Sequence, residues 1–299
     1  GFLVPPVHIR DNLQLKPNAY RITLKGVTVA ENEAIVGKYL AINPGRVFGN
    51  VQGQATTDPA YGLPALWIDA NQREQAQTFG YTVVDAGTVI ATHLSKIIHD
   101  HAPELLGREE TQQLLDHVAK ETPKLVEELT PKLLPITTIQ KVLQNLLEEK
   151  VHIRDMRTIL ESLSEHATRS QDPDELTTAV RATLGRAIIH EIFGGAQELQ
   201  VMALEPGLEQ ILMQAVGSRG ESGIGLEPGL AERLVRGSVQ AAEQQNANGQ
   251  PAVLLVPPAI RTLLSRFLRR SAPNLHVISH AEVPDNKTIK VISMIGQAA

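Results

Sequence analysis

The chain has 299 residues, 42% of them hydrophobic, enough for two or three domains with real cores. It has no Cys, which excludes disulfides and thiolate metal sites and fits a reducing compartment. The formal net charge of −5 and an aromatic content of only 3% argue against a polyanion binder or a base-stacking surface. Every apolar run is far shorter than the roughly 18 residues a membrane helix needs. The chain opens at Gly1-Phe2, with neither an initiator Met nor a signal peptide, which points to a soluble piece of something longer.

Residues 1–106 read as mixed α/β. Tyr20–Val29 (YRITLKGVTV) alternates and is β-branched, so it predicts a strand. Lys38–Ile42 predicts a second strand, stopped by Asn43-Pro44-Gly45, and Ala65–Ile68 a third. A short helix follows, closed by Gly80, then a strand over Tyr81–Val84. Asp85 is placed to cap a helix over Gly87–His101, whose core stripe would be Ile90, Leu94, Ile97 and Ile98.

From Gly107 to Ile192 the pattern turns purely helical. Ile139, Val142, Leu143, Leu146 and Leu147 form one stripe, and Ile153, Met156, Ile159, Leu160 and Leu163 the next. Asp172, Pro173 and Glu175 read as a capping box with proline at the first helical position. Leu176, Val180, Leu184 and Ile188 follow at fourfold spacing. Phe193-Gly194-Gly195 marks a boundary. Beyond it, strands over Glu198–Leu204, Pro251–Val256, LHVIS and TIKVISMIG alternate with helices, which argues an α/β domain with a small sheet.

The pentapeptide VHIRD occurs twice, at Val7–Asp11 and Val151–Asp155. Nothing outside the five residues aligns, so no fixed-period repeat exists. The first copy alternates like an extended strand. The second opens an amphipathic helix, with Asp155 in its first turn, where its charge complements the dipole.

Catalytic equipment is sparse. GSRGESGIG (Gly217–Gly225) has four glycines but lacks the Lys-Ser/Thr of a phosphate loop, so it reads as a connector. His99-Asp100-His101 spreads around a helix end rather than converging on a metal. His190-Glu191 lacks a second His, and no G-x-S-x-G elbow occurs. Arg261, Arg266, Arg269 and Arg270 form a basic stretch, expected as a solvated helix flank or, less simply, a phosphate grip. Val89 and Thr92 share a helical face, and Thr92 lies about 200° around from Ile90 by the roughly 100° per residue of a helix. Leu40 and Ile42 share one strand face. These β-branched and apolar faces either line an exposed recess or pack on a neighbouring lobe.

The blocks DPAYGLPALWI (Asp58–Ile68), GYTVVDAGTVIATHL (Gly80–Leu94), PKLVEEL (Pro123–Leu129), KVLQNLLEEKVHIRDMRTILE (Lys141–Glu161) and LLSRFLRR (Leu263–Arg270) resemble the cytoplasmic C-terminal domain of the FlhA/InvA/SctV export-gate family. The text looks flagellar rather than injectisome-like, and the likeness runs along essentially the whole chain. It implies an α+β fold of several subdomains. Subdomain 1 would be 1–36 plus 86–106, with a second small α/β lobe, 37–85, inserted in it. A helical subdomain would be 107–185 and a C-terminal α/β subdomain 186–299.

The family resemblance also implies a function. It implies the cytoplasmic part of a bacterial inner-membrane protein, assembling as a homo-nonameric ring, with no enzymatic activity, cofactor or metal. Its expected partners are flagellar export chaperones with bound filament-type subunits and other export-apparatus proteins, and not nucleic acid. The implied chaperone-docking residues are Asp58, Tyr61 and Thr92, lined by Leu40, Ile42, Pro44, Leu63, Val84 and Val89. Tyr61 stands where many relatives carry Phe, which adds a hydroxyl at the recess. Arg154 and Arg157, in the second VHIRD helix, are expected at the ring contact. The alternatives are a virulence-injectisome platform and, in a different class, a nucleic-acid-binding regulator built on the helical subdomain and the Arg261–Arg270 stretch.

Overall fold

The computed structural model describes residues 6–217 and 228–296. The chain clusters into two compact units, one ending at Leu105 and the other beginning at Leu106. Among the described residues no helix is long and apolar enough to cross a membrane.

The first unit opens with strands β1 (Ala19–Leu24) and β2 (Val27–Glu33), an antiparallel hairpin. The sequence alternates through this whole stretch and predicts a single strand. It turns instead because Lys25 (φ 50°) and Gly26 (φ 83°) both take left-handed backbone, which a two-residue hairpin turn demands. Residues 7–11, the first VHIRD copy, are exposed and form no strand, since no neighbouring strand pairs with their alternation.

Strands β3 (Tyr39–Ile42), β4 (Gln54–Thr57), β5 (Pro64–Ile68) and β6 (Thr82–Asp85) form an antiparallel sheet in the order β4-β5-β3-β6. Helix α1 (Arg73–Thr78) covers one face through Ala76, against Ala41, Ile68 and Tyr81. Helix α2 (Ala86–Asp100) covers the other through Val89, against Leu40, Ala65 and Trp67. Asp85 caps α2: its Oδ1 accepts from Thr88 N–H at 2.9 Å, and that bond holds its carboxyl below the usual range. A short helix, α3 (Ala102–Leu105), ends the unit.

The second unit begins with six helices: α4 (Arg108–Ala119), α5 (Pro123–Leu129), α6 (Ile136–Glu148), α7 (Met156–His166), α8 (Pro173–Thr183) and α9 (Gly185–Phe193). Helix α6 buries Ile139, Val142, Leu143 and Leu146, as its stripe predicts. Asp155 is the cap of α7 rather than part of its first turn; it accepts from Thr158 N–H at 3.1 Å, and Ile153 is buried just before the helix starts. Asp172 caps α8 by accepting from the N–H groups of Asp174 and Glu175. The reciprocal half of a capping box is replaced, because Asp172 N–H donates to Ser170 Oγ.

The fourfold series Leu176, Val180, Leu184 and Ile188 is buried in one core, but the helix that carries it breaks between α8 and α9 at Gly185. A Cβ there would lie 2.3 Å from the Glu282 carbonyl oxygen, so only glycine admits this approach of two backbones. Beyond α9 come β7 (Glu198–Leu204), α10 (Pro206–Gly217), α11 (Pro228–Ala247), β8 (Val253–Val256), α12 (Pro258–Leu268), β9 (His276–Ser279) and β10 (Thr288–Ile295). The four strands are parallel in the order β10-β7-β8-β9. Such sheets are covered on both sides, which is why VLLV is apolar without a break. Val253 and Leu255 join the core of the six helices. Leu254 and Val256 join the core beneath α10, α11 and α12.

A buried network of four charges links these parts. Arg181, on α8, donates to Glu149 (2.8 Å) and to Glu282 through both Nη2 (2.6 Å) and Nε (3.2 Å). Arg261, on α12, donates to the same Glu149 oxygen at 2.8 Å. Ser279 N–H and Oγ both donate to Glu282. Arg261 therefore leaves the solvated flank that the sequence predicts and sits fully buried.

Removing one member of a buried ion network strands its partners without solvent. Arg181→Met should therefore cost about 3–5 kcal/mol, read as a fall in the urea midpoint. Arg157→Ala, which breaks an exposed pair with Glu161, should leave the midpoint in place.

Candidate functional site

The loop from β4 to β5 is set by one carboxylate. Asp58 Oδ2 accepts from Tyr61 N–H at 2.8 Å, Asp58 N–H donates to the Leu63 carbonyl at 2.8 Å, and Gly62 N–H donates to the Asp58 carbonyl at 2.9 Å. Gly62 supplies the left-handed backbone at φ 70°. Aspartate favours such turns because its short side chain bonds its own following backbone. The outcome is an inward acid, only 4% exposed, and an outward Tyr61, 65% exposed. Leu63 follows at the exposed edge of β5. Asn43 N–H donates to the Pro64 carbonyl, which holds the exposed Pro44 turn beside this loop.

The remaining docking candidates form a floor. Leu40 and Val89 are buried, and Ile42 and Val84 pack half-buried against the same cluster. Thr92 is half-buried one turn along α2 from Val89. So the Leu40 and Val89 face is core, and the open-recess alternative fails for these two residues. The expected α2 core stripe holds only in part: Ile90, its first member, is 37% exposed and Leu94, Ile97 and Ile98 are half-buried, while Val89 and His93 are buried. Both faces of α2 carry apolar side chains at helical spacing. The sheet selected the one containing a histidine because a buried partner satisfies that ring.

That partner is Tyr20. Its hydroxyl lies 2.7 Å from His93 Nδ1, with the two rings edge to face at 5.7 Å. Burial, and secondarily the charge of Asp58, pushes the Tyr20 hydroxyl up to about 12. Burial pushes the His93 imidazole below its ordinary value, and Asp58 opposes that shift. Tyr20 and His93 thus form a partly buried polar pair, and with Asp58, whose charge reaches both, they make a polar knot in this unit. Sequence reasoning passed over Tyr20 and His93. The available signal was the spacing Val89–His93, four residues apart on one helical face.

The other candidates disperse. His99 Nδ1 lies 2.7 Å from the Ser95 carbonyl, Asp100 pairs with Lys96, and His101 pairs with Glu104. Glu191 pairs with His152 rather than with its neighbour His190. Among the described residues no group of three or more His, Cys, Asp or Glu side chains is placed to hold a metal ion. In the basic stretch, Arg266 pairs with Asp174 and Arg269 with Glu148, so three of its four arginines are engaged within the chain. Arg157 pairs with Glu161 at 2.9 Å, whereas Arg154 is exposed, with no ion-pair partner among the described residues. The Gly-rich stretch from residue 218 onward lies outside the described residues.

The sequence pattern of the FHIPEP family matches residues 1–288. The chain belongs to the FHIPEP family. It is 55% identical over 296 residues to the flagellar biosynthesis protein FlhA of Escherichia coli K12, matching 99% of this chain. The chain spans 42% of that relative's length. In structure it resembles the Chlamydia pneumoniae CdsV protein in its complex with CdsO, with a TM-score of 0.86 and 26% identity over 98% of this chain and 85% of that one. It shares its fold with the nonameric EscV cytosolic domain of a type III secretion system, with a TM-score of 0.72 and 24% identity over 95% of this chain and 84% of that one. The mixed helix-and-sheet architecture of these solved structures is therefore the architecture here.

Two predictions follow from the knot. Asp58→Ala removes the acceptor of the partly buried Tyr61 N–H and should cost about 1 kcal/mol in thermal or urea unfolding. His93 has a folded-state pKa below its unfolded value, so the unfolded chain binds its proton first as pH falls. Its neutral form therefore supports stability above about pH 6.5, and this support is lost below it. His93→Gln should flatten the fall in unfolding free energy between about pH 6.5 and 5, compared with the parent chain.

Proposed function

We propose that this chain is the cytoplasmic docking platform of a flagellar type III export apparatus, part of an inner-membrane protein, binding export chaperones with their filament-type subunits and passing cargo to the gate. The observation that carries this reading is identity of 55% along 99% of the chain to a flagellar biosynthesis protein. The injectisome relatives stand further off in sequence, which favours a flagellar role over a virulence one. The internal pairing of Arg261, Arg266 and Arg269 weakens the nucleic-acid alternative, since it removes most of the basic surface that reading needs.

The docking surface is the rim, not the floor. Tyr61 and Leu63 offer apolar area, Pro44 a rigid neighbour, and Thr92 a small polar edge. Leu40, Val89 and the knot of Asp58, His93 and Tyr20 hold that rim in shape. Aromatic side chains at such positions carry a large share of interface energy. The reading is non-enzymatic: work is done by binding and release.

Titration of the chain with a purified flagellar chaperone–subunit complex tests this. Tyr61→Ala should weaken binding at least tenfold, about 1.4 kcal/mol, with the melting temperature unchanged. Full binding by Tyr61→Ala and Leu63→Ala together would remove the rim from the site.

For self-assembly, the nonameric state of the EscV cytosolic domain supports a ring for this protein. With Arg157 held by Glu161, Arg154 is the better placed of the two arginines to reach a neighbouring copy. Arg154→Glu in the full membrane protein should lower the fraction of complete rings seen by electron microscopy, and unchanged rings would assign the residue to solvent. Small individual bridges suffice because a closed ring repeats each one at every interface.

A further inference from the structure

The second unit holds a cavity of about 350 Å³, bounded by the end of α6, by α9, by α12 and by β9. Its floor is apolar, made by Ile188, Ile192, Leu268, Leu275 and Val277. The charged groups around it are nearly all paired. Glu148 holds Arg269, Glu149 holds Arg181 and Arg261, and Glu191 holds His152.

Two groups stand outside that pairing. Lys150 Nζ donates to the Pro273 carbonyl at 3.0 Å and has no carboxylate partner among the described residues. The ring nitrogens of His276 have no hydrogen-bond partner among the described residues. Burial, then Lys150, then Arg181 push its imidazole below the ordinary value, so it is neutral at pH 7 and lies in a positive field.

The backbone at Lys150 points the same way. Helix α6 ends in a Schellman motif: Val151 N–H donates to the Leu146 carbonyl at 2.9 Å, and Lys150 N–H to the Leu147 carbonyl at 3.0 Å. The central residue of that motif is left-handed, and here it is Lys150 at φ 60°. Glycine is the usual occupant, because a Cβ is disfavoured there. A lysine kept in this conformation, with its amine at a cavity and no anion to meet it, is strain at a place where a charge is useful.

We infer that this cavity binds a carboxylate carried on a short apolar body, with the acid on Lys150 and the His276 ring and the body on the Ile188–Leu275 floor. The volume suits a ligand the size of one capped leucine. Such chemistry is offered by a free small acid or by the C-terminus of a peptide chain. The inference is independent of the docking rim of the first unit.

The test uses the whole chain and three probes: N-acetyl-leucine, N-acetyl-leucine amide, and an acetylated pentapeptide ending in leucine with a free carboxylate. The readout is the His276 ring resonance, assigned with His276→Gln, together with the imidazole pKa. At least one acid should shift the resonance saturably and raise that pKa, since an added anion favours imidazolium, and the amide should not. Lys150→Met should weaken the acid about tenfold. Lys150→Gly should do the same while raising the melting temperature, because it relieves the left-handed backbone. That opposite movement separates a binding role from a structural one. Tighter binding of the pentapeptide assigns the ligand to a chain terminus, and tighter binding of N-acetyl-leucine assigns it to a free acid. No saturable shift with either acid, equal binding of the amide, or full affinity in Lys150→Met would each overturn the proposal.

Discussion

The second unit depends on Glu149. Its carboxylate, at the end of α6, accepts from Arg181 on α8 and from Arg261 on α12 through a single oxygen. One acid thus fixes two helices that belong to different layers. The apolar core that surrounds them is strong but non-directional, and would tolerate a helix sliding by part of a turn. A buried ion pair adds little net stability over apolar packing, because desolvation offsets most of the attraction. Its contribution here is register. Glu282, held by Ser279, closes the circuit at the turn that meets Gly185, so the helical layer meets the sheet layer in one arrangement. Arg261 Nε makes no hydrogen bond, an unmet donor that the surrounding carboxylates offset by charge.

The first unit uses a smaller version of the same device. Tyr20 bonds His93, and the buried Asp58, whose charge reaches both, holds a loop whose outer residues Tyr61 and Leu63 are exposed. A rigid base under a soft rim is what a reusable docking surface needs. Ordering cost falls when the rim is already in place before the partner arrives.

Much of this was readable in the sequence. The caps at Asp85 and Asp172 follow from local chemistry, which needs no tertiary partner. Strand β7 falls at Glu198–Leu204 as its composition predicts. The misses share a cause: long-range pairing chose between local options of equal merit. Lys25-Gly26 lacks the usual Asn-Gly signature, so alternation ran through the turn. The exposed Ile90 and buried His93 exchange the roles that hydrophobicity assigns, because Tyr20, 73 residues away in sequence, satisfies the imidazole. Arg261 reads as a surface cation until Glu149, 112 residues earlier, is brought beside it. The proposed docking residues came from family resemblance. Pattern alone left Leu40, Ile42, Val89 and Thr92 as either a recess or ordinary packing, and the structure buries Leu40 and Val89 in the core.

The strand order β10-β7-β8-β9 has a consequence for synthesis. Strand β7 leaves the ribosome first, yet the neighbour on its outer side, β10, is made roughly ninety residues later. At typical bacterial elongation rates that interval is on the order of ten seconds or less. Through it, β7 can pair only with β8, and its other edge presents open N–H and C=O groups beside Leu199, Val201 and Met202. The sheet is therefore sealed only once β10 has been translated. A growing chain must pass its most adhesive moment while still attached to the machinery that makes it.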